Sequence, residues 1–381
     1  MSTLERKERP IYLDYAATTP VLPEVAAVVQ HYMLVEFGNA SSRTHEYGLA
    51  AKKAVEESRE VIAKAVGAKP DEVTFTSGAT EANNIAILGL RAWAEETGRK
   101  HIVTTAIEHS AVLEPCEHLR SLGFEITYVM PNGDGLVPAE AVLAAVRPDT
   151  ALVSVMHVNN ETGVIQPIRE IADGLGDHPA WFHTDSAQGF GKVTSDLIHP
   201  RIEMISISGH KIGAPKGVGA LITRRRGYKR PPLQPLMFGG GQERGLRPGT
   251  LAVPLIAGLA AAAKTTPAAC NAITQQQSSR SIITILGAKS QRVPSIALVT
   301  IEAPIDQEAI LLALRPLFAL TNGAACSRRG YASSHVIRAI YGPSASALAV
   351  LRLSHPDLNS IISEIIENIA EEVEKITACV N

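Results

Sequence analysis

Ser206-Ile207-Ser208-Gly209-His210-Lys211, followed by Ile212-Gly213-Ala214-Pro215-Lys216-Gly217-Val218-Gly219, is a β-prone run that stops in a polar turn with small residues behind it. Lys211 sits in that turn. An unpaired ammonium is costly to take out of water, so a lysine just beyond a buried strand either reaches solvent or is used chemically. One such use is a covalent bond to a carbonyl cofactor, which makes an electrophile. Taken alone, the stretch suits a surface lysine in a Gly-rich turn equally well.

Around this run the chain alternates. Strands are expected at 73–76, 101–105, 125–130, 150–158, 180–184, 202–208 and 219–223. Helices are expected between the first five of them, at 80–96, 110–122, 138–146 and 168–175. That alternation implies an α/β fold with a largely parallel sheet covered by helices on both faces. Ligands bind at the carboxyl ends of such strands. The polar groups Ser77-Gly78-Ala79-Thr80, Glu108-His109, Asn159-Asn160-Glu161, Asp185 and His210-Lys211 all fall there. Ahead of this block come a short strand at 11–15 and helices at 23–34 and 48–66. After an Ala-rich helix at 255–264, residues 271–294 read as a connecting helix with loop portions. A smaller α/β pattern follows, with strands at 295–301, 318–321 and 349–353 and helices at 306–314 and 333–340. The last helix carries Leu358, Ile361, Ile362, Ile365, Ile366, Ile369, Val373 and Ile376 at helical spacing, a core-packing stripe.

At 381 residues, two domains are the expectation, with 16–260 as the large one and 1–15 plus 261–381 as the small one. Hydrophobic residues make up 45% and charged residues 19%, an ordinary globular balance. A net charge of −2 gives no global reason to expect nucleic acid or membrane as a partner. Arg224-Arg225-Arg226 and Lys229-Arg230 read as a solvated strand end or loop. No apolar run is long enough for a membrane helix, and the first ten residues hold no apolar signal core. Cys116, Cys270, Cys326 and Cys379 are scattered without a CxxC pair, so a reducing cytoplasm is the expected compartment.

Three short motifs bear chemistry. Thr76-Ser77-Gly78-Ala79-Thr80-Glu81 joins a strand to a helix, where free N–H groups can hold a phosphate; it also suits a plain N-cap. His183-Thr184-Asp185-Ser186-Ala187-Gln188 ends a buried strand in a carboxylate. Such a carboxylate can keep a pyridine nitrogen protonated, or merely cap the next turn. His109 can stack on an aromatic cofactor or carry protons. A metal site built from His109, Cys116 and His118 fails on spacing and lacks further ligands.

The order of these motifs resembles that of the cysteine desulfurases, pyridoxal-phosphate enzymes of the class-V aminotransferase group with the fold-type-I architecture. The resemblance also covers Tyr12-Leu13-Asp14-Tyr15-Ala16-Ala17-Thr18-Thr19-Pro20, Phe37-Gly38-Asn39, Met156-His157-Val158-Asn159-Asn160-Glu161-Thr162-Gly163, Gly239-Gly240-Gly241-Gln242-Glu243-Arg244-Gly245 and Arg247-Pro248-Gly249-Thr250. It implies that Lys211 binds the cofactor covalently and moves substrate protons, and that Asp185 pairs with the pyridine nitrogen. It implies that His109 stacks on the ring and Gln188 bonds the ring hydroxyl. Thr80, Ser208, His210 and the amide of Ala79 would hold the phosphate. Thr250 would reach the partner subunit's phosphate in a homodimer, and Asn160 and Arg352 would hold the substrate carboxylate.

Thr321-Asn322-Gly323-Ala324-Ala325-Cys326-Ser327-Arg328-Arg329-Gly330 resembles the nucleophile loop of group I of that family. The implied reaction converts L-cysteine to L-alanine, leaves a persulfide on Cys326, and passes the sulfur to an acceptor protein. Iron–sulfur assembly, tRNA thiolation and DNA phosphorothioation are the implied destinations. The stretches Gln188-Gly189-Phe190-Gly191-Lys192 and Ser333-Ser334-His335-Val336-Ile337-Arg338 resemble members serving the last. A selenocysteine lyase of the same fold and a non-catalytic scaffold are the alternatives. The chain departs from the family at Ile212-Gly213-Ala214, where an aromatic is common, in the basic Ser327-Arg328-Arg329, and in a shorter region around 265–295.

Overall fold

The computed structural model describes residues 9–265, 282–303, 305–322 and 334–380. In chain order, β1 (Ile11–Tyr12), α1 (Pro23–Leu34) and α2 (Glu46–Val66) precede the main block. That block runs β2 (Val73–Thr76), α3 (Ala79–Leu88), α4 (Arg91–Glu96), β3 (His101–Thr105), α5 (Ser110–Ser121), β4 (Glu125–Val129), α6 (Ala139–Ala144) and β5 (Thr150–Ser154). It continues through α7 (Ile168–Leu175), β6 (Trp181–Asp185), β7 (Met204–Ser208), β8 (Gly219–Thr223) and α8 (Val253–Thr265). The remainder holds β9 (Ile283–Ile285), β10 (Ile296–Ile301), α9 (Gln307–Leu314), β11 (Phe318–Ala319), α10 (His335–Tyr341), β12 (Ala349–Ser354) and α11 (Leu358–Val380).

The large sheet has seven strands in the order β2-β8-β7-β6-β5-β3-β4. All of its neighbours pair in parallel except those of β8, which runs antiparallel to both β2 and β7. Every residue of β2, β3, β5, β6, β7 and β8 is buried. Alternate residues serve opposite faces. Val103, Val153, Phe182 and Ile205 join one core with α2, α7 and α8; Ile102, Leu152, Trp181 and Met204 join another with α3, α4 and α5. Each such side chain contributes on the order of 1.5–3 kcal/mol. Because β2 and β7 both run opposite to β8, the carboxyl ends of β2, β3, β5, β6 and β7 share one edge.

The small sheet is antiparallel, in the order β12-β10-β9. Leu358, Ile362, Ile365, Ile366, Ile369 and Val373 of α11 pack on it, as their spacing foretold. The start of the chain joins this part: β1 pairs in parallel with β11, and Leu13 lies in the same core. The chain then crosses at 14–19 to the edge of the large sheet.

Two expected elements differ in kind, and the strand expected at 150–158 ends at Ser154. The helix expected at 80–96 is two helices, broken at Gly89 and Leu90, where the Gly89 carbonyl accepts the Gln234 N–H at 2.9 Å. The connecting helix expected at 271–294 is not present in its described part. Ile283–Ile285 form β9 instead, because Ile283 and Ile285 pack into the small core while their backbone pairs with β10.

Candidate active site

The turn at 16–19 is the floor of the site. Lys211 Nζ donates to the carbonyls of Ala16 at 2.5 Å and Ala17 at 2.8 Å. Gln188 Nε2 donates to the same Ala16 oxygen at 2.8 Å, and Lys192 Nζ donates to Gln188 Oε1 at 2.7 Å. Thr19 N–H and its hydroxyl both donate to the His210 carbonyl, at 3.0 and 3.1 Å, so the floor is stitched to the lysine turn. Gly213 completes that turn at φ +86°, and a Cβ there would lie 2.5 Å from Leu22 Cγ. Lys211 is half-buried, with its ammonium on two carbonyls; the alternative of a free surface lysine does not hold.

Asp185 ends β6 and is 5% exposed. Its Oδ2 accepts from Asn83 Nδ2 at 2.7 Å and its Oδ1 from the Ala187 N–H at 2.9 Å. A buried carboxylate needs such donors. Asp185 therefore caps the turn after β6 and presents a buried carboxylate at once.

The first turn of α3 is a ledge whose N–H groups suit an anion. No side chain among the described residues caps it, and its leading N–H groups, like those of any helix, have no partner within the helix. A Cβ on Gly219 would lie 2.7 Å from Gly78 Cα, whereas one on Gly78 would meet nothing within 4 Å among the described residues. The start of β8 thus packs tightly against the turn and leaves its outer side open. Ala79 and Thr80 lie in this first turn, and Ser208 is buried at the end of β7. His210 Nδ1 lies 3.2 Å from Thr18 Oγ1. Burial, with Lys211 and Lys216 nearby, pushes the His210 imidazole down to about 4, so it is neutral near pH 7.

His109 caps α5, its Nδ1 accepting the Ala111 N–H at 3.1 Å. The preceding Glu108 is buried, and its Oε1 accepts from Thr105 Oγ1 and from the Met156 N–H, both at 2.8 Å. It thereby ties the ends of β3 and β5 together. Burial pushes its carboxyl up to about 8. An open groove lined by Thr80, Asn84, His109 and Ala111 runs between α3 and α5. Arg352 on β12 is buried; it donates to the Asn160 carbonyl at 3.2 Å and to Asp14 Oδ1 at 2.6 Å.

Thr250 is exposed, on a loop that is anchored hard. The Glu243 carboxylate accepts from Arg59 at 2.8 and 2.9 Å and from the Phe75 N–H at 2.8 Å. Glu243 and Arg244 take left-handed φ of +48° and +57°, a strain the buried ion pair holds in place. Arg247 Nε donates to Glu81 Oε1 at 2.8 Å, bringing this loop to the start of α3.

Cys326 and Cys270 lie outside the described residues. Cys116 is fully buried in α5, and burial pushes its thiol up to about 12, which suits core packing. Sequence reasoning passed over Asn83, the carbonyls of Ala16 and Ala17, and Thr18 and Thr19 as site residues. Each meets its partner across a hundred or more residues, so spacing carried no signal.

The donor set fits pyridoxal phosphate. The α3 ledge with Thr80, Ser208 and neutral His210 suits the phosphate, Asp185 the pyridine nitrogen, and Lys211 the carbonyl carbon. A model of the class-V aminotransferases matches residues 11–339. A mitochondrial cysteine desulfurase of Arthroderma benhamiae is 41% identical over 92% of this chain and 71% of its own length. DndA from Streptomyces lividans superposes with a TM-score of 0.74 at 50% identity, covering 90% of this chain and 99% of that one. The structure described as SspA in complex with cysteine superposes with a TM-score of 0.79 at 36% identity, covering 91% and 99%. With this fold, this edge of polar residues and these relatives, the chain belongs to the class-V aminotransferase family and, within it, to the pyridoxal-phosphate-dependent cysteine desulfurases.

Proposed function

We propose that the chain converts L-cysteine to L-alanine and leaves the sulfur as a persulfide on Cys326, for transfer to an acceptor protein. The observation that carries this is the convergence of Lys211 and Gln188 on the Ala16 carbonyl, with buried Asp185 three residues before Gln188. When bound, pyridoxal phosphate withdraws electrons from the carbon that bears the substrate's amine.

The chain's own residues supply the rest. Thr80, Ser208, His210 and the amide of Ala79 would hold the phosphate, and Asp185 would keep the ring nitrogen protonated. His109, its orientation fixed by the bond from Ala111, would stack on the ring. Lys211 takes the substrate's α proton and returns one. The guanidinium of Arg352, with Asn160, holds the substrate carboxylate. Cys326 thiolate attacks the substrate sulfur; the S–S bond forms as the C–S bond breaks, and its electron pair stays with carbon, which takes up a proton. No outside oxidant is required.

The working unit is a homodimer in which Thr250 completes the partner's phosphate site. The open ledge at Gly78 and the exposed, anchored Thr250 support it. The compartment is the cytoplasm, where Cys326 would stay reduced. The sulfur is destined for DNA phosphorothioation; the 50% identity to DndA and the 188–192 and 333–338 stretches support that route.

Lys211→Ala tests the core of this reading. The variant retains bound cofactor phosphate after dialysis and releases no alanine from cysteine. Alanine release at the wild-type rate would overturn the role of Lys211.

A further inference from the structure

Glu161 follows Asn160 in the loop after β5 and is 3% exposed. Its backbone is fixed on two sides. Asn159 Oδ1 accepts the N–H groups of Glu161 and Thr162, both at 2.9 Å, while Asn159 Nδ2 donates to the Ile107 carbonyl at 3.0 Å. Gly163, at φ +75°, lets the loop press on β10, where a Cβ would lie 2.7 Å from the Ile296 carbonyl oxygen. The loop is thus wedged between the connection that carries His109 and the small sheet.

The Glu161 carboxylate accepts the Ser334 hydroxyl at 2.7 Å. Ser334 caps α10, its Oγ accepting the Ile337 N–H at 3.1 Å. His335 Nε2 lies 2.8 Å from the Glu108 carbonyl oxygen. Two consecutive residues at the start of α10 are therefore latched to the two segments that present Asn160 and His109. Burial pushes the Glu161 carboxyl up, opposed by the Ser334 bond and by His335, Arg352 and His109 nearby. Ser334 comes eight residues after Cys326 in the chain.

We propose that Glu161 is a positioning residue for sulfur transfer: through Ser334 it anchors the downstream end of the segment bearing Cys326 against the substrate-holding loop. This rests on the reading of Cys326 as the nucleophile. The bond meets the need of a buried carboxylate for a donor and, because that donor is the cap of α10, it couples α10 to the substrate-holding loop.

The test uses the holoenzyme with Glu161→Ala, Glu161→Gln, Ser334→Ala and the Glu161→Ala/Ser334→Ala double variant. Two signals are followed after mixing with L-cysteine: the change in cofactor absorbance, and the persulfide on Cys326 by rapid quench and mass spectrometry. Glu161→Ala, Ser334→Ala and the double variant each slow persulfide formation about tenfold, without multiplying, because residues that act as one unit are non-additive. The absorbance change stays within twofold of wild type. Glu161→Gln, which keeps an acceptor oxygen for Ser334, retains most of the persulfide rate. If Glu161→Ala does not fold, Ser334→Ala and Glu161→Gln carry the same comparison. A persulfide rate within twofold of wild type in the variants lacking the bond overturns the inference; so do losses that multiply, or absorbance and persulfide rates that fall together. Wild-type enzyme bearing its persulfide on another cysteine would instead remove the premise, and the inference with it.

Discussion

Asp185→Asn exchanges one carboxylate oxygen for an NH2 group and leaves the side chain's shape alone. In the wild type, both oxygens accept, from Asn83 Nδ2 and from the Ala187 N–H. An asparagine can offer its oxygen to only one of them and sets donor against donor at the other. Asn83 can absorb that conflict: its own Oδ1 is buried without a partner among the described residues, so turning its amide over presents an acceptor to the new NH2. The structural loss is therefore about 1 kcal/mol, the net worth of one hydrogen bond. The catalytic loss is of another size. Removing a preorganised group that stabilises developing charge costs roughly 10²–10³ in rate, about 2.7–4 kcal/mol. Urea denaturation and the rate of alanine formation at saturating cofactor and cysteine separate the two. The expected result is a small shift in stability with a rate loss of roughly a hundredfold or more. A rate within twofold of wild type would refute the reasoning and leave Asp185 as only the cap of the turn after β6.

Glu243→Ala leaves the Arg59 guanidinium buried without its carboxylate and the Phe75 N–H without its acceptor. It should cost about 3–5 kcal/mol in denaturant-measured stability, and a loss under about 1 kcal/mol would contradict the anchoring of the 239–250 loop. Glu108 holds its proton in the folded state up to about pH 8, against an ordinary value of 4.5. Between those values the folded state binds more protons, so stability is full at low pH and falls as pH rises through the window, by at most about 1.4 kcal/mol per pH unit for one group. Glu108→Gln copies the neutral acid and should flatten that fall; an unchanged pH profile of stability would contradict it.

Much of this was legible because the strands carry clusters of large apolar residues, such as Leu152-Val153, Trp181-Phe182 and Met204-Ile205, at the spacing of an alternating α/β chain, and every residue of 150–154, 181–185 and 204–208 is buried. The site was legible for a related reason: residues with no place in a core, such as Asp185 and Lys211, sit where each run stops. The break at Gly89 was not, since a glycine is tolerated inside a helix and the contact that exploits it comes from distant Gln234. Nor was β9, three residues long, which owes its conformation to pairing with β10 rather than to its own pattern. The partners of Asp185, Lys211 and Glu161 were hidden in the same way. Asn83, Ala16 and Ser334 are ordinary residues until the fold brings them within hydrogen-bonding distance.

The central claim is that sulfur leaves L-cysteine for Cys326. The direct measurement is a brief pulse of L-cysteine on the holoenzyme without reductant, followed by alkylation, peptide mapping by mass spectrometry, and quantification of alanine. The account requires one alanine per enzyme in the first turnover and one extra sulfur on Cys326, with Cys116, Cys270 and Cys379 unlabelled. In Cys326→Ser it requires cysteine binding without persulfide. Sulfur on another cysteine while Cys326 stays bare, or undiminished alanine and sulfide release by Cys326→Ser, would contradict it.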